Sequence, residues 1–206
     1  MNTVELLEKQ KVIHVKNFVS EDLLKFFTNV LMREESIGSN KLEDQQVPSV
    51  RAKLDHEIMF ETLLERSWPI MEEIVGEDLI PTYSYARLYS NGDKLKPHLD
   101  RPACEVSVTI QLGRSHHYAW PIFMGNARID MAEGDAVIYK GCEIEHWRNV
   151  CDGPEGYYSG QVFLHYVKAN GVHAEHGWDK EFRTLMHGPL VKNMFVKNRA
   201  LLMDVK

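Results

Sequence analysis

Two histidines and one aspartate form the pattern best suited to metal chemistry in this 206-residue sequence, which contains ten histidines. His98 and Asp100 lie two residues apart in KLKPHLD, so on a strand their side chains point to the same face. His146, in EIEHWRNV, offers a third ligand on a later strand. Two imidazoles and a carboxylate on one face of a metal ion, with open positions opposite, favour non-haem Fe(II). The set contains no thiolate, which disfavours a closed structural zinc site.

A β-rich region must position these residues. From Ile80 the hydrophobic pattern alternates with period two, and turn signals such as Asn91-Gly92 separate most of the segments. The segments are YSYARLY, KLKPHLD, EVSVTIQL, HYAWPIFM, ARIDM, DAVIYKG, EIEHWRNV and GQVFLHYV. Short strands at this spacing predict a mainly β fold with flanking α-helices, a double-stranded β-helix of the jelly-roll or cupin-like type. Such a fold brings its second and seventh strands together at one end, which would unite His98 and Asp100 with His146.

The flanks of this region are predicted to be helical. Ser20 is a good N-cap for a helix that begins at Glu21. A second helix is expected from about Asp55 to Val75, broken or kinked at Trp68-Pro69. Residues 35–54 are polar and unpatterned, which predicts a loop that serves as a substrate lid or as a solvated connector. The stretch Leu190–Met203 is apolar-periodic and is expected to form a helix packed on the barrel.

Composition narrows the class of protein. The chain is 44% hydrophobic and 26% charged, which is typical of a soluble globular protein, and it has no apolar run long enough to span a membrane and no secretory signal. Three cysteines at no metal-like spacing predict a reducing, cytoplasmic compartment. The formal charge of −6 disfavours a nucleic-acid partner. We expect one domain with a helical flank at 1–79, a jelly-roll core at 80–168 and a C-terminal extension at 169–206.

The run from Tyr83 to Val167 resembles the Fe(II)/2-oxoglutarate-dependent dioxygenases, in particular their prolyl-4-hydroxylase-like branch. The resemblance lies in YSNGDKLKPHLD at 89–100, EGDAVIYKG at 133–141 and EHW at 145–147. It implies that Fe(II), 2-oxoglutarate and O2 are the cofactors. It also implies oxidation of 2-oxoglutarate to succinate and CO2, coupled to hydroxylation of a C–H bond. Peptidyl proline, a free amino acid and a small metabolite all remain compatible substrates.

The resemblance also assigns residues. His98, Asp100 and His146 match the iron ligands, and all three are therefore expected to be catalytic. Tyr89 matches a tyrosine that lines the cosubstrate pocket of the family.

One feature departs from the family pattern. The family anchors the distal carboxylate of 2-oxoglutarate with an Arg or Lys about ten residues beyond the second histidine, but residues 156–161 contain no cation. A dianion in a dry barrel needs a charge-assisted partner. Strand parity favours Arg148 for this role, with Arg87 second and Gln161 as an additional hydrogen-bond donor. The missing cation keeps open a cupin-type metalloenzyme without 2-oxoglutarate, beside a non-catalytic metal-binding or sugar-binding jelly roll.

Several other residues have a structural and a functional interpretation. Arg101 would point away from the metal, so a salt bridge is favoured over guidance of an anionic substrate. Core packing is favoured over substrate stacking for Tyr118 and Trp120. The remaining barrel histidines are expected to lie in strands as satisfied residues rather than ligands: His116, His117 and His165.

Two further histidine motifs are weak. His173 and His176 form an HxxH pattern with only Glu175 to complete a second metal site, and an adventitious arrangement is favoured. His56-Glu57 begins like a zinc-protease motif, but Phe60 replaces its second histidine and excludes that function.

Overall fold

Ten strands and three α-helices make up the part of the chain that the structure, a computed structural model, describes: residues 2–38, 47, 51–55 and 57–179. The helices are α1 (Thr3–Gln10), α2 (Glu21–Ile37) and α3 (Ile58–Val75). The strands are β1 (Val12–Val15), β2 (Lys53–Asp55), β3 (Leu79–Ser90), β4 (Leu95–His98), β5 (Val106–Arg114), β6 (Ile122–Met124), β7 (Ala127–Ile129), β8 (Ala136–Tyr139), β9 (His146–Arg148) and β10 (Tyr158–Lys168). No described helix is long and apolar enough to cross a bilayer.

The strands form two antiparallel sheets. The larger sheet has the order β1-β8-β5-β10-β3-β2, and the smaller has the order β4-β9-β6-β7. The eight strands from β3 to β10 alternate between the two sheets, except that β6 and β7 form a hairpin within the smaller one. This is the arrangement of a double-stranded β-helix and confirms the predicted fold class. Strands β1 and β2 extend the larger sheet at its two edges.

Along β5 and β10 of the larger sheet, even-numbered and odd-numbered side chains point to opposite faces. In β5, Val106, Val108, Ile110 and Leu112 join the main hydrophobic core, whereas Ser107, Thr109 and Gln111 alternate with them. In β10, Val162, Leu164 and Tyr166 join the same core, while Gln161, Phe163 and His165 line a cavity. Successive side chains point to opposite faces of a strand, so one face meets the helices and the other forms the barrel interior.

Helices α2 and α3 cover the outer face of the larger sheet. Their apolar residues, including Phe27, Leu31, Phe60 and Met71, share one buried cluster with the outward-facing strand residues. The hydroxyl of Tyr166 on β10 also donates to the carbonyl oxygen of Leu64 on α3, at 2.7 Å. This packing leaves the opposite face of the sheet free to carry polar chemistry.

The structure corrects three details of the N-terminal flank. Helix α1 was not expected, and it begins with a capping box between Asn2 and Glu5. Helix α2 begins as predicted, although the Ser20 side chain makes no capping hydrogen bond, and it continues to Ile37. Residues 35–54 are thus not a loop throughout, because they contain the end of α2 and most of β2.

The prediction for the second helix was also inexact. Asp55 belongs to β2, α3 begins at Ile58, and the helix runs on through Pro69. Trp68 and Met71 on either side of this proline are buried in the core, and such packing outweighs the loss of one helical hydrogen bond. The predicted helix at Leu190–Met203 lies outside the described residues, as does His56.

Candidate metal centre and adjoining cavity

Strand pairing brings the two predicted histidine ligands together. His98 ends β4, His146 begins β9, and the two residues are direct partners in the antiparallel register. Their ring centroids lie 4.2 Å apart. Asp100 follows β4 by two residues, and its backbone N–H donates to the carbonyl oxygen of Gly141 at 2.9 Å. Backbone hydrogen bonds therefore hold all three side chains at one end of the barrel.

The three side chains have the geometry of a metal site. The Oδ1 atom of Asp100 lies 3.4 Å from Nε2 of His146 and 3.7 Å from Nε2 of His98. One ligating atom from each residue lies within 4.8 Å of the others. Two ligands about 2.1 Å from a common ion at right angles are about 3 Å apart, so only a small adjustment would close the set around one cation.

Local hydrogen bonds orient both imidazoles. Nδ1 of His98 lies 2.8 Å from the carbonyl oxygen of Lys96, and Nδ1 of His146 lies 3.0 Å from that of Ile144. A carbonyl oxygen accepts only, so each Nδ1 carries the proton and donates it. Each Nε2 lone pair is therefore available for a metal, which is the arrangement that metal-binding histidines adopt.

The carboxyl group of Asp100 is in the ionised state that metal binding requires. Burial raises its pKa, but interactions with the nearby imidazoles of His146 and His165 and the hydrogen bond from the Ser107 hydroxyl together bring the pKa below the usual value. Asp100 is thus a carboxylate at neutral pH, which is the form that binds a cation.

Gly141 provides the space that Asp100 occupies. A Cβ atom at this position would collide with Oδ2 of Asp100 and with the carbonyl oxygen of Cys104. The backbone of Gly141 also accepts from the Asp100 N–H and donates to the carbonyl oxygen of Glu105, at 2.9 and 3.1 Å. A larger residue at 141 would displace the carboxylate.

A cavity of about 390 Å³ opens from these ligands into the barrel. This volume lies within the range of about 300–1,000 Å³ typical of small-molecule sites. Along β10 its wall runs from His165, beside Asp100, through Phe163 to Gln161. Its other lining residues are Val47, Lys53, Asp55, Tyr83, Tyr85, Arg87, Tyr89, Leu95, His98, Leu99, Arg101, Cys104, Thr109, Ile122, Tyr139, His146 and Arg148.

Arg148 is a buried cation in this cavity. Its side chain lies 4.9 Å from the ring centroid of Trp120, and Nη1 donates to the Trp120 carbonyl oxygen at 2.5 Å. Among the described residues no carboxylate pairs with Arg148, and Nη2 has no hydrogen-bond partner. Burial lowers its pKa to about 10, so the guanidinium still carries its charge at neutral pH. An uncompensated buried charge of this kind calls for an anion.

The other predicted cosubstrate residues line the same cavity. Arg87 on β3 is 1% exposed, and its guanidinium carbon lies 5.6 Å from the ring centroid of Tyr89. Gln161 on β10 is the direct register partner of Arg87, and its Nε2 donates to Oε1 of Gln111. Both arginines therefore reach the region that strand parity indicated, from two different sheets.

Arg101 and two aromatic residues lie where their structural interpretations place them. Arg101 forms an ion pair with Asp179 at 2.5 Å, and it also covers the ring of Tyr83 at the rim of the cavity. Trp120 is buried, and its Nε1 donates to the carbonyl oxygen of Asn149. The hydroxyl of Tyr118 accepts from the N–H of Asp152.

The remaining histidines fall into three environments. His116 and His117 are exposed and follow β5, so the expectation that they lie in strands was wrong. His165 is buried in β10, and it approaches Asp100 and Cys104 closely enough to form a second set of possible ligands. His173 and His176 converge with Glu175 on a short 3-10 turn at the surface.

Three residues beside the site were not predicted from the sequence. Ser107 contacts Asp100, Thr109 lines the cavity, and the ring of Tyr139 lies 4.8 Å from that of His146. A signal for the first two was present in VSVTIQL, where every second residue is polar. In a strand buried on both faces, that alternation marks the face turned toward the site.

Comparisons with solved structures support the fold independently. A Pseudomonas putida prolyl-4-hydroxylase aligns with a TM-score of 0.64 at 15% identity, over 81% of this chain and 97% of the other. The non-haem α-ketoglutarate-dependent epimerase SnoN from nogalamycin biosynthesis gives 0.66 at 12% identity, over 81% of each chain. HygX from Streptomyces hygroscopicus, with nickel and 2-oxoglutarate bound, gives 0.62 at 8% identity, over 82% of this chain and 87% of the other.

These similarities confirm the predicted fold, which this chain shares with solved 2-oxoglutarate-dependent enzymes, among them a prolyl-4-hydroxylase. No protein-family model matches the sequence, and no curated protein matches it. The activity must therefore be argued from the site itself.

Proposed function

We propose that the protein is an Fe(II)/2-oxoglutarate-dependent oxygenase that hydroxylates a C–H bond. The observation that carries the proposal is the convergence of His98, Asp100 and His146 at the mouth of a cavity that also holds the buried, charged Arg148. A metal site alone would fit many jelly rolls. A metal site joined to an anion site inside one barrel fits a chelating dicarboxylate.

The donor set suits Fe(II). His98 and His146 would supply neutral Nε2 atoms and Asp100 one carboxylate oxygen, which is the facial set of non-haem iron oxygenases. When bound, Fe(II) would supply the redox chemistry by which O2 oxidises 2-oxoglutarate to succinate and CO2 and hydroxylates the substrate. The Gly141 backbone and the two Nδ1–H hydrogen bonds keep the ligands oriented throughout.

Arg148 is the proposed partner of the distal carboxylate of 2-oxoglutarate. It carries a positive charge without a carboxylate partner among the described residues, and a charge-assisted hydrogen bond would satisfy Nη2. Arg87 and Tyr89, in contact with each other, and Gln161 form the adjoining wall. Arg87 remains the second candidate for this carboxylate.

A cupin-type enzyme without 2-oxoglutarate is the competing function. Its support is the absence of a cation at residues 156–161, where the family pattern has one. Arg148 weakens that argument, because a cation reaches the cavity from β9 instead. A non-catalytic metal-binding or sugar-binding jelly roll is the third possibility, and it would form no succinate with any substrate.

Anaerobic addition of Fe(II) and 2-oxoglutarate tests the proposal. We expect a visible metal-to-ligand charge-transfer band that is lost in His98→Ala and Asp100→Ala. His116→Ala, which removes an exposed histidine outside the cavity lining, should retain the band. Bound iron without a band in the intact protein would reject 2-oxoglutarate as cosubstrate and favour the cupin-type function.

Turnover distinguishes the enzyme from a binding protein. Succinate should form under aerobic conditions in a screen of prolyl peptides, free amino acids and small metabolites, which are the proposed substrate classes. A cytoplasmic location remains a prediction from the cysteine pattern.

A further inference from the structure

The hydroxyl of Ser107 lies at the centre of a small buried network behind the metal ligands. Its Oγ atom is 3.0 Å from Oδ2 of Asp100, 2.9 Å from Nδ1 of His165 and 3.1 Å from the carbonyl oxygen of Cys104. Ser107 is fully buried and His165 is 3% exposed. This network belongs to none of the roles assigned above.

The chemistry of these groups determines the direction of the hydrogen bonds. The Ser107 hydroxyl has one proton, and both oxygens near it can only accept. A hydroxyl prefers the charged acceptor, so the proton points to the carboxylate of Asp100. His165 Nδ1 must then donate to Ser107 Oγ, because two facing lone pairs at 2.9 Å would repel. The order is therefore His165 to Ser107 to Asp100.

This order makes the two oxygens of Asp100 different. Oδ1 faces the Nε2 atoms of His98 and His146, whereas Oδ2 accepts from Ser107. An oxygen that accepts a hydrogen bond from a fixed donor is a poorer ligand for the same cation. The network thus leaves one oxygen free to bind metal and holds the other away from it.

We propose that His165 and Ser107 are positioning residues that hold Asp100 as a single-oxygen metal ligand and thereby raise metal affinity. The inference rests on the proposed function, since it assumes that the triad binds the metal. His165 fixes the Ser107 hydroxyl, and Ser107 fixes the carboxylate. Outer contacts of this kind typically alter metal affinity by about 10–100-fold.

The test measures Co(II) binding to the metal-free, full-length protein by calorimetry and by the visible Co(II) spectrum. Ser107→Ala should weaken Co(II) binding by about 10–100-fold and change the spectrum, which reports the number of ligands. His165→Phe keeps a ring against Tyr83, 4.6 Å away, but removes the donor, and it should weaken binding by about 10-fold.

His165→Asn, in contrast to His165→Phe, keeps a hydrogen-bond donor and removes the ring. Its side-chain amide replaces the Nδ1 donor but loses the ring, and it should bind Co(II) within about threefold of wild type if the hydrogen bond is what matters. Ser84→Ala is the matched control, because that buried hydroxyl bonds to Glu61 on the outer face of the sheet. It should lower stability without altering affinity or spectrum.

The outcomes separate the two proposals. Unchanged Co(II) affinity in both Ser107→Ala and His165→Phe would overturn the positioning chain, even with the oxygenase function intact. If only ring packing matters, His165→Asn will bind as weakly as Ser107→Ala while His165→Phe binds normally, and this too overturns the chain. Co(II) binding that requires Asp100, in a protein that shows no 2-oxoglutarate band, would instead reject the proposed function.

Discussion

Arg148 and His146 occupy alternate positions of the three-residue strand β9, and both side chains line the barrel cavity. The proposed metal ligand and the proposed anion partner are therefore carried by one short segment at a fixed separation. Strand β9 pairs with β4, which carries His98, so displacement of this segment would disturb both sites together.

Replacement of Arg148 should weaken cosubstrate binding without destabilising the fold. Arg148→Met should raise the 2-oxoglutarate concentration for half-saturation of the charge-transfer band by about 10–150-fold, since a hydrogen bond to a charged group contributes about 1.5–3 kcal/mol. The metal-free variant should be as stable as wild type or more stable, because a buried unpaired charge is removed. Arg87→Met is the comparison variant, and a larger effect there would transfer the anchor to β3.

Gly141→Ala should damage the metal site through sterics alone. The added Cβ would collide with Oδ2 of Asp100, and we expect a loss of about 1–3 kcal/mol in unfolding free energy together with weaker Co(II) binding. Gly156→Ala is the control: its φ of +75° is strained for alanine, but a Cβ there meets no atom within 4 Å. It should cost about 1 kcal/mol and leave metal binding unchanged. Equal Co(II) affinity in the two variants would contradict the steric account.

His165 should make the stability of the metal-free protein depend on pH. Burial lowers its pKa to about 4, whereas an exposed histidine in the unfolded chain titrates near 6.5. The unfolded state therefore binds the proton more tightly, and folding stability should fall as the pH drops from about 6.5 to about 4, by at most about 3 kcal/mol.

Urea unfolding between these pH values checks this expectation. His165→Phe should flatten the dependence, while His116→Phe, at an exposed position, should leave its slope unchanged. The slope is the informative quantity, because the two variants will also differ in absolute stability. A slope in His165→Phe as steep as that of wild type would assign the dependence to other groups.

Arg101 should contribute little to stability. Its ion pair with Asp179 has a half-exposed arginine side chain, and such pairs contribute about 0–1 kcal/mol. Arg101→Gln should therefore change unfolding free energy by less than about 1 kcal/mol and leave 2-oxoglutarate binding intact. A substrate-specific rise in KM for anionic compounds would instead support a guiding role at the rim.

Local patterns predicted the barrel because its chemistry follows strand parity. The jelly-roll pattern was sufficient to predict that His98 and Asp100 would meet His146, and the structure brings the three together, although Asp100 follows β4 rather than lying in it. The contact of Ser107 with His165 was not foreseeable, since it joins residues 58 positions apart through the register of β5 and β10. The contact between Gln161 and Arg87 was equally unpredictable, because only the pairing of β10 with β3 brings these two residues together.

The predicted boundaries of the second helix were wrong for a related reason. Asp55 was assigned to a helix by its local sequence, but pairing with Tyr85 places it in an edge strand. Pro69 predicted a break, yet the surrounding core residues keep α3 continuous. In both cases tertiary contacts outweighed local preference.

The Nδ1 hydrogen bonds of His98 and His146 have a consequence for the free energy of metal binding. Each imidazole is tethered to a carbonyl only two residues earlier in its own chain segment, so its rotamer does not depend on the ion. Little side-chain entropy then remains to be lost when a cation arrives, and each tether saves up to about 1 kcal/mol of ordering. The two histidines should therefore change little between the empty and the filled protein, and this preorganisation should strengthen metal binding.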